Sequence, residues 1–162
     1  SGRNFERGRQ IFGEAQCFSC HRFNGEGGGN GPDLTAVSGR FGIRDLLESI
    51  IEPSKVISDQ YQSVVVATRD GRLIQGRIIN LNVDVDKILT GDHILVQTDM
   101  LDPDKVVQID RRLIDAIQPS PVSMMPTNLL DTFTEDEILD LVACLYSRAV
   151  SEHGNSREAA GQ

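Results

Sequence analysis

Apolar residues change their spacing twice along this chain, and each change marks a switch between helix and strand. Phe5, Phe12 and Ala15 fall on one face of a helical stretch that Asn4 can cap, with Gly8 between them. A glycine inside a helix costs ~1 kcal/mol against alanine, so Gly8 predicts that another backbone passes close to that turn. Ile43, Leu46, Leu47, Ile50 and Ile51 repeat at i, i+3, i+4, i+7 and i+8, which predicts a second helix ended by Pro53. From Tyr61 the pattern turns to strands. Residues 61–68 are rich in β-branched side chains, Asp70-Gly71 is a hairpin signal, and 72–82, 93–100, 105–109 and 113–118 continue the series. Asp102-Pro103-Asp104 makes a turn within it. Such short strands in close succession suggest a small barrel. After Pro119 and Pro121 the helical period returns. Thr134-Glu135-Asp136-Glu137 reads as a capping box, with Ile138, Leu141, Val142 and Leu145 as the buried stripe.

The expected organisation is α+β: a helical core from residues 1–60 and 119–150, interrupted by an inserted β domain at 61–118. Residues 151–162 are polar and aperiodic and read as a flexible tail. The run 24–32 is too rich in glycine for regular structure and reads as a loop. A helical core this small is marginal by itself, which points to a bound group holding its two pieces together.

Charge narrows the range of partners. The net charge of −8 argues against nucleic acid and against an anionic membrane surface. No apolar stretch approaches the ~20 residues of a membrane span, and the first residues lack the apolar segment of a signal peptide, as expected of a mature or excised fragment.

The chemistry is concentrated in Cys17-Phe18-Ser19-Cys20-His21. C-x-x-C-H is the attachment pattern of a c-type haem: two thiols form thioether links to the vinyl groups of one porphyrin, and the adjacent His21 is an axial ligand to iron. A zinc site would want a second spaced pair of ligands, whereas only Cys144, His93 and His153 remain, scattered. A thioredoxin-like pair would want a βαβ setting; here a helix leads in and a glycine-rich loop leads out. Cys144 reads as a small buried core residue and His93 as an ordinary strand histidine. For the sixth position on iron, a thioether is the common partner. Met100, Met124 and Met125 are the candidates, the last two in a loop that ends at Pro126.

Several ordered motifs together resemble the class I cytochrome c fold, and more closely the planctomycete-type haem-binding domain family. They are Gly8-x-x-x-Phe12, the C-x-x-C-H itself, Gly31-Pro32-Asp33-Leu34-Thr35, Leu46-Leu47-Glu48-Ser49-Ile50 with Pro53-Ser54, Thr68-x-Asp70-Gly71 and Ser120-Pro121-Val122-Ser123-Met124-Met125-Pro126. The resemblance implies one covalent haem c with iron held between His21 and Met125. It also implies that the Pro32 carbonyl accepts the Nδ1–H of His21, that the first helix crosses the last near Gly8, and that the insertion is a small Sm-like or SH3-like β-barrel. Export to the periplasm is a further family expectation. The chain departs from the family at Ala143-Cys144-Leu145, where an aromatic residue is usual, and in a longer connection over 83–92.

These readings converge on a monohaem electron carrier and not an enzyme, working with a redox partner protein or a fused dehydrogenase-like domain. Seven acidic against two basic side chains over 119–162 suggest that such a partner is basic. Two other readings remain: a haem-based small-molecule sensor with a labile distal Met, and a partner-binding module using the inserted β domain.

Overall fold

The computed structural model describes residues 2–79 and 91–147. Helix α1 (Phe5–Glu14) starts where the Asn4 side chain accepts the Arg7 backbone N–H at 2.9 Å. The last described helix, α4 (Glu135–Tyr146), starts with the expected capping box, the Glu137 carboxylate accepting the Thr134 N–H at 2.9 Å. These two helices pack across each other at Gly8. A Cβ added there would lie 2.1 Å from the Asp140 carbonyl oxygen and 2.7 Å from Cys144 Cβ, so the close approach inferred from that glycine is present. The departure at Ala143-Cys144-Leu145 has a steric reason: a small thiol fits over Gly8. The aromatic residue comes later in the helix, and Tyr146 donates its hydroxyl to the Phe41 carbonyl.

Ile11, Phe12, Phe23, Val37, Leu46, Leu141 and Leu145 form the helical core. Phe12 meets Phe18 edge-on, with ring centroids 4.5 Å apart. Helix α3 (Ile43–Ile51) forms as expected, but of its apolar stripe only Leu46 is fully buried, while Ile43 and Ile51 remain exposed. Between α1 and α3 lies the single turn α2 (Cys17–Cys20), followed by β1 (Arg22–Phe23) and β2 (Glu26–Gly27). That pair corrects the reading of 24–32 as a loop throughout. Asn24 and Gly25 both take positive φ, 51° and 82°, which lets two residues close a hairpin.

Among the described residues the insertion is a five-stranded antiparallel sheet. Its strands are β3 (Val64–Thr68), β4 (Leu73–Ile78), β5 (His93–Gln97), β6 (Val106–Asp110) and β7 (Ile114–Pro119), in the order β6-β5-β4-β3-β7. The expected barrel is not confirmed: β6 and β7 are the edges of the described sheet, and among the described residues no pairing joins them. Val66, Ile94, Val96 and Ile109 form a separate core on the sheet. The strand expected from residue 61 begins only at Val64, because 59–61 coil into a 3-10 turn. The end of the 72–82 strand, most of the 83–92 connection and the 151–162 tail fall outside the described residues. The chain leaves and re-enters the helical part at one place, where Val64 pairs with Pro119 and the Ser120 N–H donates to the Ser63 carbonyl at 2.8 Å.

Candidate haem site

Gln16 takes a left-handed conformation, φ 61°, which ends α1 and lets the chain restart as α2. The turn presents both sulfurs of Cys17 and Cys20 to a cavity of about 1010 Å³, and His21 follows on the same wall. The His21 backbone N–H donates to the Cys17 carbonyl at 2.8 Å and so closes the turn. On the ring, Nδ1 lies 2.8 Å from the Pro32 carbonyl oxygen. A carbonyl only accepts, so Nδ1 carries the proton and Nε2 keeps its lone pair. Gly31 makes this contact possible: a Cβ there would stand 2.7 Å from Cε1 of the same ring.

Burial sets the protonation states. It pushes the Cys17 thiol up to about 11, and it raises Cys20 as well, with the Asp99 carboxylate adding to the effect. Burial also lowers His21, against the opposing pull of the Pro32 carbonyl. At neutral pH the imidazole is therefore uncharged, the form that binds a metal.

Other chain segments also line the cavity. Leu46 and Ile50 come from α3, Met124 and Met125 from the loop before α4, and Arg77, Met100 and Leu101 from the inserted sheet. The last group puts part of the 61–118 insertion on the cavity wall. The turn after β5 brings Met100 O to 3.5 Å from the Cys20 sulfur. All three candidate methionines thus line one cavity. The loop carrying two of them is fixed from both sides: Ser54 Oγ accepts the Ser123 N–H and Ser123 Oγ the Met125 N–H, each at 3.1 Å, while Ser63 Oγ donates to Val122 O at 3.0 Å. Sequence reasoning did not find Arg77 or Tyr61, which also lines the cavity, because neither stands out from strand or turn periodicity.

The remaining candidates lie elsewhere. His93 is exposed at the start of β5, opposite Asp110, and Cys144 is buried at the α1–α4 crossing. Among the described residues no group of three or more Cys, His, Asp or Glu side chains could hold a metal ion. The paired sulfurs, the neutral imidazole with a free Nε2 and the apolar hollow in front of them fit a c-type haem.

Residues 5–64 match the family model described as Cytochrome c, which supports a c-type cytochrome. That family binds haem c covalently through C-x-x-C-H, here by Cys17 and Cys20, with iron. Its members are typically electron carriers and typically exported or periplasmic, acting with redox partners. The match ends at the first residue of β3, so it takes in His21 and Pro32 and none of the three methionines. No curated protein matches the chain. Among the described residues no helix is long and apolar enough to cross a membrane.

Proposed function

We propose that this protein is an exported monohaem electron carrier of the planctomycete type, with His21 and Met125 as axial ligands and no catalytic role. In this reading residues 1–60 with 119–150 form the haem domain and 61–118 a separately folding insert. The observation that carries it is the convergence of Cys17, Cys20, His21 and the Met124–Met125 loop on one apolar cavity. Bound there, haem iron supplies a one-electron Fe(III)/Fe(II) couple. The chain's own residues hold the ring edge through two thioethers, orient the imidazole through Pro32 and keep water from the apolar wall. Met100 is the weaker ligand candidate, since its backbone already contacts the Cys20 sulfur and so belongs to the thioether edge. Pro126 restricts Met125 to an extended backbone, which favours a single direction for its thioether.

A basic redox partner suits the acidic composition of 119–162. Part of that charge is already neutralised, however. Glu137 pairs with Arg7 at 2.5 Å, and Asp136 and Asp140 with Arg3 at 3.4 and 3.6 Å. The salt dependence of partner association is therefore expected to be mild.

The ligand assignment is tested on the loaded protein. Met125→Ala is expected to abolish the weak far-red band of Met–Fe(III) ligation and to let carbon monoxide bind the reduced form. It should also lower the potential by an appreciable part of the ~0.8 V range that axial ligands span. Met124→Ala should keep the band. The reverse result would move the ligand by one residue, and a band that survives both substitutions would favour another ligand or the sensor reading.

A further inference from the structure

Among the described residues the insertion touches the haem-binding segment at two polar contacts, and one of them outlasts haem attachment. The Cys20 thiol can donate to Met100 O, but a thioether sulfur carries no proton, so that hydrogen bond is lost when haem is attached. The other contact belongs to Arg77 on β4, where it pairs opposite Gln97 of β5. Its Nη1 donates to the Asn30 carbonyl, and its guanidinium carbon sits 5.4 Å from the centre of the Tyr61 ring, within cation–π range. The side chain is half-buried in the cavity wall.

Asn30 stands two residues before the carbonyl that holds His21. Between them, the Gly31 N–H donates to the Cys20 carbonyl at 2.7 Å, and a Cβ added at Gly31 would stand 2.7 Å from Cε1 of the imidazole. Segment 30–32 is therefore gripped by the haem motif on one face and by a charged donor from the sheet on the other. A guanidinium lying on an aromatic ring is held in place and makes a charge-assisted hydrogen bond, stronger than a neutral one.

We propose that Arg77 is a positioning residue for His21: through the Asn30 carbonyl it fixes segment 30–32, and so the Pro32 carbonyl that orients the imidazole. The proposal rests on reading His21 as an iron ligand. It gives the insertion a role in the haem site, because any shift of β4 is transmitted over two residues to the Nδ1–H···O bond, which sets the ligand's basicity. The rival account is that Arg77 serves only as a positive charge for a carboxylate of the bound group.

The two accounts separate in the loaded protein. Solvent exchange of the His21 Nδ1–H, followed by NMR, reads the Pro32 contact directly. Arg77→Met is expected to speed it about tenfold, with the far-red band kept and the pH profile of the reduction potential unchanged in shape. Arg77→Gln, too short to span the gap, should do the same and replaces Arg77→Met if that variant fails to load haem. Arg77→Lys, which keeps the reach, the charge and a donor, should return exchange to within about twofold of the wild type. Unchanged exchange in the loaded Met or Gln variant would overturn the proposal. So would unchanged exchange accompanied by a new titration step in the potential, which would assign Arg77 to a carboxylate instead. The haem reading itself is checked on the wild-type pyridine haemochrome, so the two ideas fail separately.

Discussion

The helical part and the inserted sheet bury their apolar residues in different ways. On the sheet, Val66 and Val96 are fully buried and Ile94 and Ile109 close around them, without help from any other group. The helical part has a core of its own between α1 and α4, but next to it lies a hollow of about 1010 Å³ with Phe41 and Val56 on its wall, still 43% and 82% exposed. Large apolar side chains left open around a cavity are an unfinished core. The helical sequence is written for packing against a cofactor, the sheet sequence for packing against itself.

The largest test of this difference removes the attachment points. With Cys17→Ala and Cys20→Ala the haem is no longer held covalently, and the helical part should lose at least ~4 kcal/mol, the stabilisation of a ligand at 1,000-fold its dissociation constant. Hydrogen exchange should then show α1, α3 and α4 unprotected and β3 to β7 still protected. If the sheet loses protection together with the helices, the two regions are one cooperative unit, and the contact through Arg77 outweighs their separate cores.

A smaller effect is expected at the helix crossing. Gly8→Ala would set a methyl 2.1 Å from the Asp140 carbonyl oxygen, and a backbone atom inside a helix cannot swing aside. The two helices must separate, at a cost of about 3 kcal/mol. Thermal unfolding followed at the haem bands should report it, whereas exchange at sheet amides should not change. A variant as stable as the wild type would show that α4 yields at this point.

What was legible in the sequence is what depends on near neighbours. The capping box at Thr134 and Glu137, the hairpin at Asp70-Gly71 and the C-x-x-C-H turn each need only a few consecutive residues. Gly8 was legible for a related reason, since a costly residue inside a helix demands a contact even when its partner is unknown. A closed barrel is not legible in this way, because closure depends on twist and on pairing between the first and last strands in space, which alternation along one strand does not encode. Arg77 was missed as a cavity residue because its place comes from how the sheet docks on the haem motif. The Asn30 carbonyl that Arg77 meets is a backbone atom, and it leaves no mark in side-chain patterns.

The smallest expected effect sharpens the comparison from the sheet's side. Asp110 caps the 3-10 turn 111–113, its carboxylate accepting the Arg112 N–H at 2.8 Å and the guanidinium at 2.7 Å. The hydrogen bond from the Arg112 side chain, then that from its backbone, hold Asp110 down to about 2 from the ordinary 3.8. A folded-state value below the unfolded one means that the charged form favours folding. The contribution is therefore complete above the ordinary value and is lost as pH falls from 3.8 to about 2. Because the pair is exposed, solvent and salt keep its contribution small. Asp110→Asn should flatten the acid dependence of exchange at the β6 and β7 amides over that range, while leaving helical amides and haem spectra as they were. Parallel acid profiles for the variant and the wild type would show that the cap does not contribute to the sheet's stability, which would then rest on its apolar core alone.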